Sequence, residues 1–257
     1  AGSGHSGGSL SIMDIAAALY LSELRHDPQN PDWPDRDRVF WSAGHKAPAL
    51  YVSLGMSGYF DVADMVTLRK LGSPFPGHPH RLKLAGVEVS SGSLGQGLSI
   101  AVGSALAARL DKKDYRVYCI MGDGEQQEGQ VWEAAMEACH YRLDNLCAIV
   151  DCNGLQIDGC IDDVMCIEPL ADKYRSFGFE VISTNGHDIG RILEAFSKAR
   201  EQKDRPSVIL AQTIKGKGVS YMEHVCGWHA KSPAYDELRE ALDQLGRDVT
   251  QLFRRHF

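Results

Sequence analysis

The chain has 257 residues, enough for one large domain or two small ones, and 44% hydrophobic with 24% charged residues is an ordinary globular composition. A formal net charge of −7 argues against a general nucleic-acid surface. No apolar run approaches the ~18 residues of a membrane span, and the opening AGSGHSGGSLS lacks the basic and apolar regions of a signal peptide. The expected location is therefore cytoplasmic. The seven cysteines form no CxxC pair and several lie in apolar runs, which reads as reduced, buried thiols. A motif of interest falls within the first eight residues, so further chain is expected before residue 1.

In chain order, residues 9–24 place Ile12, Ile15, Ala16 and Leu19 on one helical face, with Ser11 as a candidate N-cap. A Pro-rich polar connection leads to a short β-type run at 38–43. Residues 47–58 read as a helix that stops at Gly58. The irregular stretch LGSPFPGHPHRLKLAGVEVSSGSLGQG follows, and a loop this long inside a compact domain is usually functional or disordered. Residues 96–110 form a helix with a small-residue face of Gly97, Ala101, Ser104, Ala105 and Ala108. From there strand-like runs at 115–121, 146–151, 179–184 and 207–213 alternate with helical segments at 127–142, 168–177 and 189–203, and a surface helix ends the pattern. Near-continuous apolar strands alternating with helices predict a doubly wound α/β domain. Its sheet is mostly parallel, of about five strands, with helices on both faces.

One stretch carries chemistry. GDGEQQEGQVWEAAMEACHYRLDNLCAIVDCNGLQIDG is a βαβ unit in which Asp123 ends one strand and Asn153 ends the next. Parallel strands bring both to the same carboxyl edge, about 4.8 Å apart if the strands are neighbours. A carboxylate plus an amide oxygen is a hard donor pair suited to Mg²⁺ bridging a diphosphate. The dinucleotide fingerprint fails, because the glycine after Gly122 and Gly124 is Gly129.

This stretch resembles the thiamine-diphosphate motif, and its neighbours narrow the resemblance. GSGHSGG, SAGHKAPALY, LGSPFPGHPH, GVEVSSGSLGQGL, TNGHD and QTIKGKGVSYME…GWH look, in that order, like transketolase. The likeness spans the whole chain but only the N-terminal, diphosphate-binding domain of that family. It implies that residues 1–257 are a single domain. The pyrimidine-binding and C-terminal domains would lie on a second transketolase subunit, in an α₂β₂ assembly. The implied cofactors are thiamine diphosphate and Mg²⁺ (or Ca²⁺). The implied reaction moves a two-carbon ketol unit from a ketose phosphate to an aldose phosphate. The chain alone should be inactive, because the cofactor-activating glutamate belongs to the other domain.

By the same resemblance, Asp123, Asn153 and the Leu155 carbonyl hold the metal. Gly122 and Gly124 lie against the diphosphate, Gly92 approaches the cofactor by its backbone, and Leu94 and Ile157 pack on its rings. His5 and His78 face the donor sugar, and His45 and His229 reach diphosphate or substrate. Arg69 meets the sugar phosphate, and Glu128 faces the partner's glutamate. His229 is preferred to His224 because it follows Trp228, and His187 reads as structural. His26, His80, His140 and His256 carry no pattern. Lys215 and Lys217 are either solvated or brace the diphosphate loop. The chain departs from the family pattern at Ser6, Lys46 and Ala230, where Pro, a small residue and Gly are usual; Lys46 is expected to alter the substrate pocket. Two other readings stay open: the α-subunit of a 2-oxo acid dehydrogenase, and a non-catalytic homologous subunit.

Overall fold

The structure, a computed structural model, describes residues 1–246. His256 lies outside the described residues. Five strands, β1 (Arg38–Trp41), β2 (Val117–Gly122), β3 (Leu146–Cys152), β4 (Glu180–Asn185) and β5 (Ser207–Gln212), form one sheet in the order β1-β2-β3-β5-β4. Every pairing is parallel.

Alternate side chains of each strand feed two separate cores, as the two-residue strand period requires. Trp41, Ile120, Ile149 and Ile209 pack on one face under α1 (Ser6–Ala18), α2 (Ala47–Ser57) and α7 (Ile189–Glu201). Phe40, Met121, Val150 and Leu210 pack on the other, under α3 (Gln96–Leu110), α4 (Gly129–His140) and α6 (Leu170–Phe177). The predicted strands and long helices are therefore present, each within a few residues of its expected ends. The small-residue face of α3 works by close approach. A Cβ on Gly97 would lie 2.3 Å from Ser42 Cβ, so only glycine lets this helix start against the end of β1.

Three expectations are corrected. First, α1 begins at Ser6, with His5 at its N-cap position, so Ser11 is a mid-helix residue and caps nothing. The glycine run continues as helix because Gly7 packs tightly: a Cβ there would lie 2.8 Å from the Trp228 carbonyl oxygen. Second, the predicted 127–142 helix begins at Gly129, after a 3₁₀ turn (Gly124–Gln127) whose N-terminus is capped by Asp123. Third, the seven cysteines are free but not all buried, for Cys160 and Cys166 are exposed beside α5 (Ile161–Met165).

The long stretch between α2 and α3 is ordered by its anchors. Phe75 is buried against Tyr51 and Phe60, the Tyr51 hydroxyl donates to the Pro76 carbonyl at 2.8 Å, and Glu88 pairs with Arg36. The last helix, α8 (Tyr235–Gln244), is mostly exposed and buries Ala241 with Val219, Met222 and Trp228. No helix among the described residues is long and apolar enough to cross a membrane.

Candidate active site

The carboxyl ends of β1, β2, β3 and β5 open onto a cavity of about 370 Å³. Every residue given a site role in the sequence except Arg69 lines it: His5, His45, His78, Gly92, Leu94, Gly122, Asp123, Gly124, Glu128, Asn153, Leu155, Ile157 and His229. These residues come from six separate segments of the chain, and the parallel sheet brings them to one edge. Arg69 stands outside the wall. Its backbone is left-handed (φ 61°), its guanidinium lies against Gly77, and its Nη1 donates to Ser3 Oγ at 3.2 Å.

β2 and β3 are neighbours in register, Gly122 opposite Asp151, so Asp123 and Asn153 follow adjacent strand ends. Asp123 is 4% exposed. Its Oδ1 accepts the Gly124 N–H at 2.8 Å and its Oδ2 the Gly154 N–H at 2.6 Å. Burial, reinforced by the nearby Asp151 carboxylate, pushes its pKa up to about 6. Asn153 Oδ1 accepts the Leu155 N–H at 3.1 Å. The Leu155 carbonyl accepts from Lys215 Nζ at 3.3 Å, and Lys215 is itself buried.

Above this floor stand four imidazoles. His5 lies 5.4, 6.0 and 5.5 Å from His45, His78 and His229, centroid to centroid, and His45 stacks on His229 at 5.2 Å. All four pKa values are lowered, mainly by burial. His45 falls to about 2 with Lys46 adding repulsion, and His229 to about 4 with Lys215 adding repulsion. At neutral pH the four rings are uncharged, so each can donate from one nitrogen and accept at the other.

Those depressed values carry a stability consequence. The unfolded chain binds protons below its ordinary histidine pKa of ~6.5 while the folded chain does not, so stability falls as pH drops below that value. For the deeply buried His45 the slope approaches about 1.4 kcal/mol per pH unit, and solvent screening makes it smaller for the other three. The slope persists towards pH 2 for His45 and flattens near pH 4 for His229. Melting temperature should drop between pH 7 and pH 5, and less steeply in His45→Gln. Equal slopes in the two proteins would contradict the neutral assignment of His45.

Several residues of the site were not legible in the motifs. Glu125 is 2% exposed and accepts from Ser42 Oγ, from Gly95 N at 2.8 Å and from Gly122 N at 3.0 Å. It ties the ends of β1 and β2 to the start of α3. Lys46 is buried and lines the cavity. Its ammonium is held by Asp151, whose pKa stays below the usual carboxylate range because Lys46, Ser11 and Thr213 outweigh the opposing effect of burial. Lys215 also contacts His229 Nδ1 at 3.0 Å, which places it inside the cavity rather than in solvent. His187 is structural: its Nε2 accepts the Ile214 N–H at 2.8 Å and its Nδ1 meets Asp14 Oδ2 at 2.8 Å.

The fit to a diphosphate and a hard cation can be judged from these groups. Gly122 has open space where a Cβ would stand, the donors at Asp123, Asn153 and Leu155 are all oxygens, and His5 Nδ1 is buried without a hydrogen-bond partner. The family model described as "Transketolase, thiamine diphosphate binding domain" matches residues 1–255. The chain belongs to the transketolase family. Within it, this chain is 44% identical over 247 residues to the 6-deoxy-6-sulfo-D-fructose transketolase subunit SqwG of Clostridium sp. (strain MSTE9), a match covering 96% of this chain and 90% of that one. It is 41% identical to an apulose-4-phosphate transketolase subunit of Phocaeicola vulgatus, over 97% of this chain and 88% of that one. The crystal structure of Campylobacter jejuni transketolase superposes with a TM-score of 0.91 at 36% identity, covering 96% of this chain and 40% of that one. The chain thus spans about two fifths of that transketolase and nearly the whole length of the two relatives named as subunits. Its sheet and helices are the thiamine-diphosphate-binding fold.

Proposed function

We propose that this chain is the diphosphate- and metal-holding half of a two-subunit transketolase, transferring a two-carbon ketol unit from a ketose phosphate to an aldose phosphate. The observation that supports this most directly is the convergence of four uncharged imidazoles over the Asp123–Asn153 pair in one cavity. The names of the relatives add that such chains occur as subunits.

In this reading Asp123, Asn153 and the Leu155 carbonyl hold Mg²⁺ (or Ca²⁺), and Gly122 and Gly124 let the diphosphate approach the backbone. Thiamine diphosphate would supply, when bound, a ring able to accept electron density from the ketose. This chain's own contribution is orientation. Neutral His5 and His78 hydrogen-bond the sugar hydroxyls. His45 and His229, kept neutral by burial with repulsion from Lys46 and Lys215, would hydrogen-bond the substrate or the diphosphate. Gly92 and Leu94 form one wall. Ile157 is 67% exposed at the rim and would be covered when a second subunit docks. Glu128, exposed at the start of α4, would meet the partner's glutamate there. Arg69, beside His78 and His5, would take the sugar's anionic end. An α₂β₂ assembly with the pyrimidine-binding and C-terminal domains on the second chain completes the site.

The test is substrate class. The chain, co-purified with its second subunit, is supplied with thiamine diphosphate and Mg²⁺. It should release an aldose phosphate from xylulose 5-phosphate or a related ketose with ribose 5-phosphate as acceptor. Turnover of a 2-oxo acid with transfer to a lipoyl group, and none of a ketose, would replace this reading with that of a 2-oxo acid dehydrogenase subunit.

A further inference from the structure

Lys46 is 2% exposed and lines the same cavity as the histidines. A buried charge needs a partner. Its Nζ is ion-paired with Asp151 Oδ2, and Asp151, one residue before the end of β3, is wholly buried. The same carboxylate accepts the hydroxyls of Ser11 from α1 and Thr213 from the end of β5. It also accepts Asn153 Nδ2 at 3.3 Å, and Ser11 Oγ lies 3.4 Å from that nitrogen. One carboxylate thus gathers α1, the β1–α2 turn, β5 and the loop after β3.

The consequence falls on Asn153. A side-chain amide has a donor end and an acceptor end of similar shape, and only its hydrogen-bond partners choose between the two orientations. Asn153 Nδ2 donates to Asp151 Oδ2, so Asp151 holds the nitrogen end of the amide. Oδ1 then faces the other way, on the side of the Leu155 N–H. Asp151, together with the Leu155 N–H, therefore sets the orientation of the Asn153 amide. Lys46 contributes the cationic contact to Asp151, whose carboxylate stands next to that of Asp123.

We propose that Lys46 is a positioning residue for the metal site: by holding Asp151 it fixes the amide orientation that presents Asn153 Oδ1 to a divalent cation. This rests on the reading of Asp123 and Asn153 as metal ligands. A merely structural ion pair would affect melting but not the metal affinity of the folded complex, and that difference separates the two roles.

The experiment follows two quantities in the complex with its second subunit. One is thermal melting without metal. The other is Mg²⁺ affinity, by calorimetry at saturating thiamine diphosphate. Lys46→Met should weaken Mg²⁺ binding by about tenfold or more, the usual effect of removing a group that orients a metal ligand. Because Lys46→Met strands the Asp151 carboxylate and could prevent assembly, Lys46→Met/Asp151→Asn is measured beside it. This pair leaves no buried charge, so it should melt near the wild type. It should still bind Mg²⁺ more weakly, since the amide introduced at position 151 can hold either end of the Asn153 amide. Asp123→Ala separates the two readings. Loss of Mg²⁺ binding in Asp123→Ala, with the double variant within twofold of wild type, overturns the role of Lys46 alone. Unchanged Mg²⁺ binding in Asp123→Ala overturns the metal reading beneath it.

Discussion

Asp123→Ala is expected to abolish the Mg²⁺-dependent part of thiamine diphosphate affinity, a loss of about 100-fold or more, equivalent to about 3 kcal/mol. Asp123 supplies the only carboxylate among the three proposed metal donors, and a divalent ion held by one carboxylate, one amide and one carbonyl depends heavily on that charge. Its two oxygens also accept the Gly124 and Gly154 N–H groups, so the same side chain keeps the loops after β2 and β3 in register. Removing it should leave the β-sheet intact, because both cores lie below the site and neither includes Asp123. The check is a calorimetric titration of thiamine diphosphate into the two-subunit complex at saturating Mg²⁺, with circular dichroism to confirm folding. An affinity equal to wild type would sink the assignment of Asp123 to the metal.

Glu125→Ala should damage stability and the site together. Its carboxylate satisfies the Gly95 and Gly122 N–H groups and the Ser42 hydroxyl in an environment closed to water. Each donor left without a partner costs about 1–3 kcal/mol, so the sum is on the order of 3 kcal/mol or more. For a domain of this size that is a fall of roughly 6–12 °C in melting temperature. The three donors sit at the end of β1, the end of β2 and the start of α3, so their release should also slacken the Gly122–Gly124 turn and weaken cofactor binding. Glu125→Gln keeps one acceptor oxygen at nearly the same volume and should be milder on both counts. A melting temperature for Glu125→Ala within about 2 °C of wild type would contradict the bracing role, on the same scaling.

What the sequence revealed depended on whether the relevant physics was local. The apolar stripe Ile12, Ile15, Ala16 and Leu19, the runs VYCIM and LCAIV, and the glycine stop after α2 are read within a few residues, and the fold follows from them. The neighbouring placement of Asp123 and Asn153 was also legible, because one βαβ unit determines it. The four histidines were found by resemblance to transketolase; their spacing alone would not have joined segments so far apart in the chain. The residues that escaped notice depend on distant partners. Glu125 looks like an ordinary acidic residue in a turn until Ser42 and Gly95 are seen to close around it. Lys46 stood out as a departure from the family pattern, but its partner Asp151 lies 105 positions away and could not be read from it. Ser11 satisfied a local capping pattern, but its hydroxyl belongs to Asp151, and the close contact between Gly7 and Trp228 lets α1 start at Ser6 instead. The exposed thiols of Cys160 and Cys166 follow the same logic, since their segment leaves the sheet edge for the surface.

The dependence of turnover on a second subunit bears most directly on the claim that this chain holds half of a shared cofactor site. Aldose release from xylulose 5-phosphate, with thiamine diphosphate and Mg²⁺ present, would be followed for this chain by itself, for its partner by itself and for the two mixed. Turnover in the mixture only, rising to a plateau at equal concentrations of the two chains and lost with Asp123→Ala, is the predicted result. Turnover by this chain by itself, or a mixture whose activity survives Asp123→Ala, would contradict it.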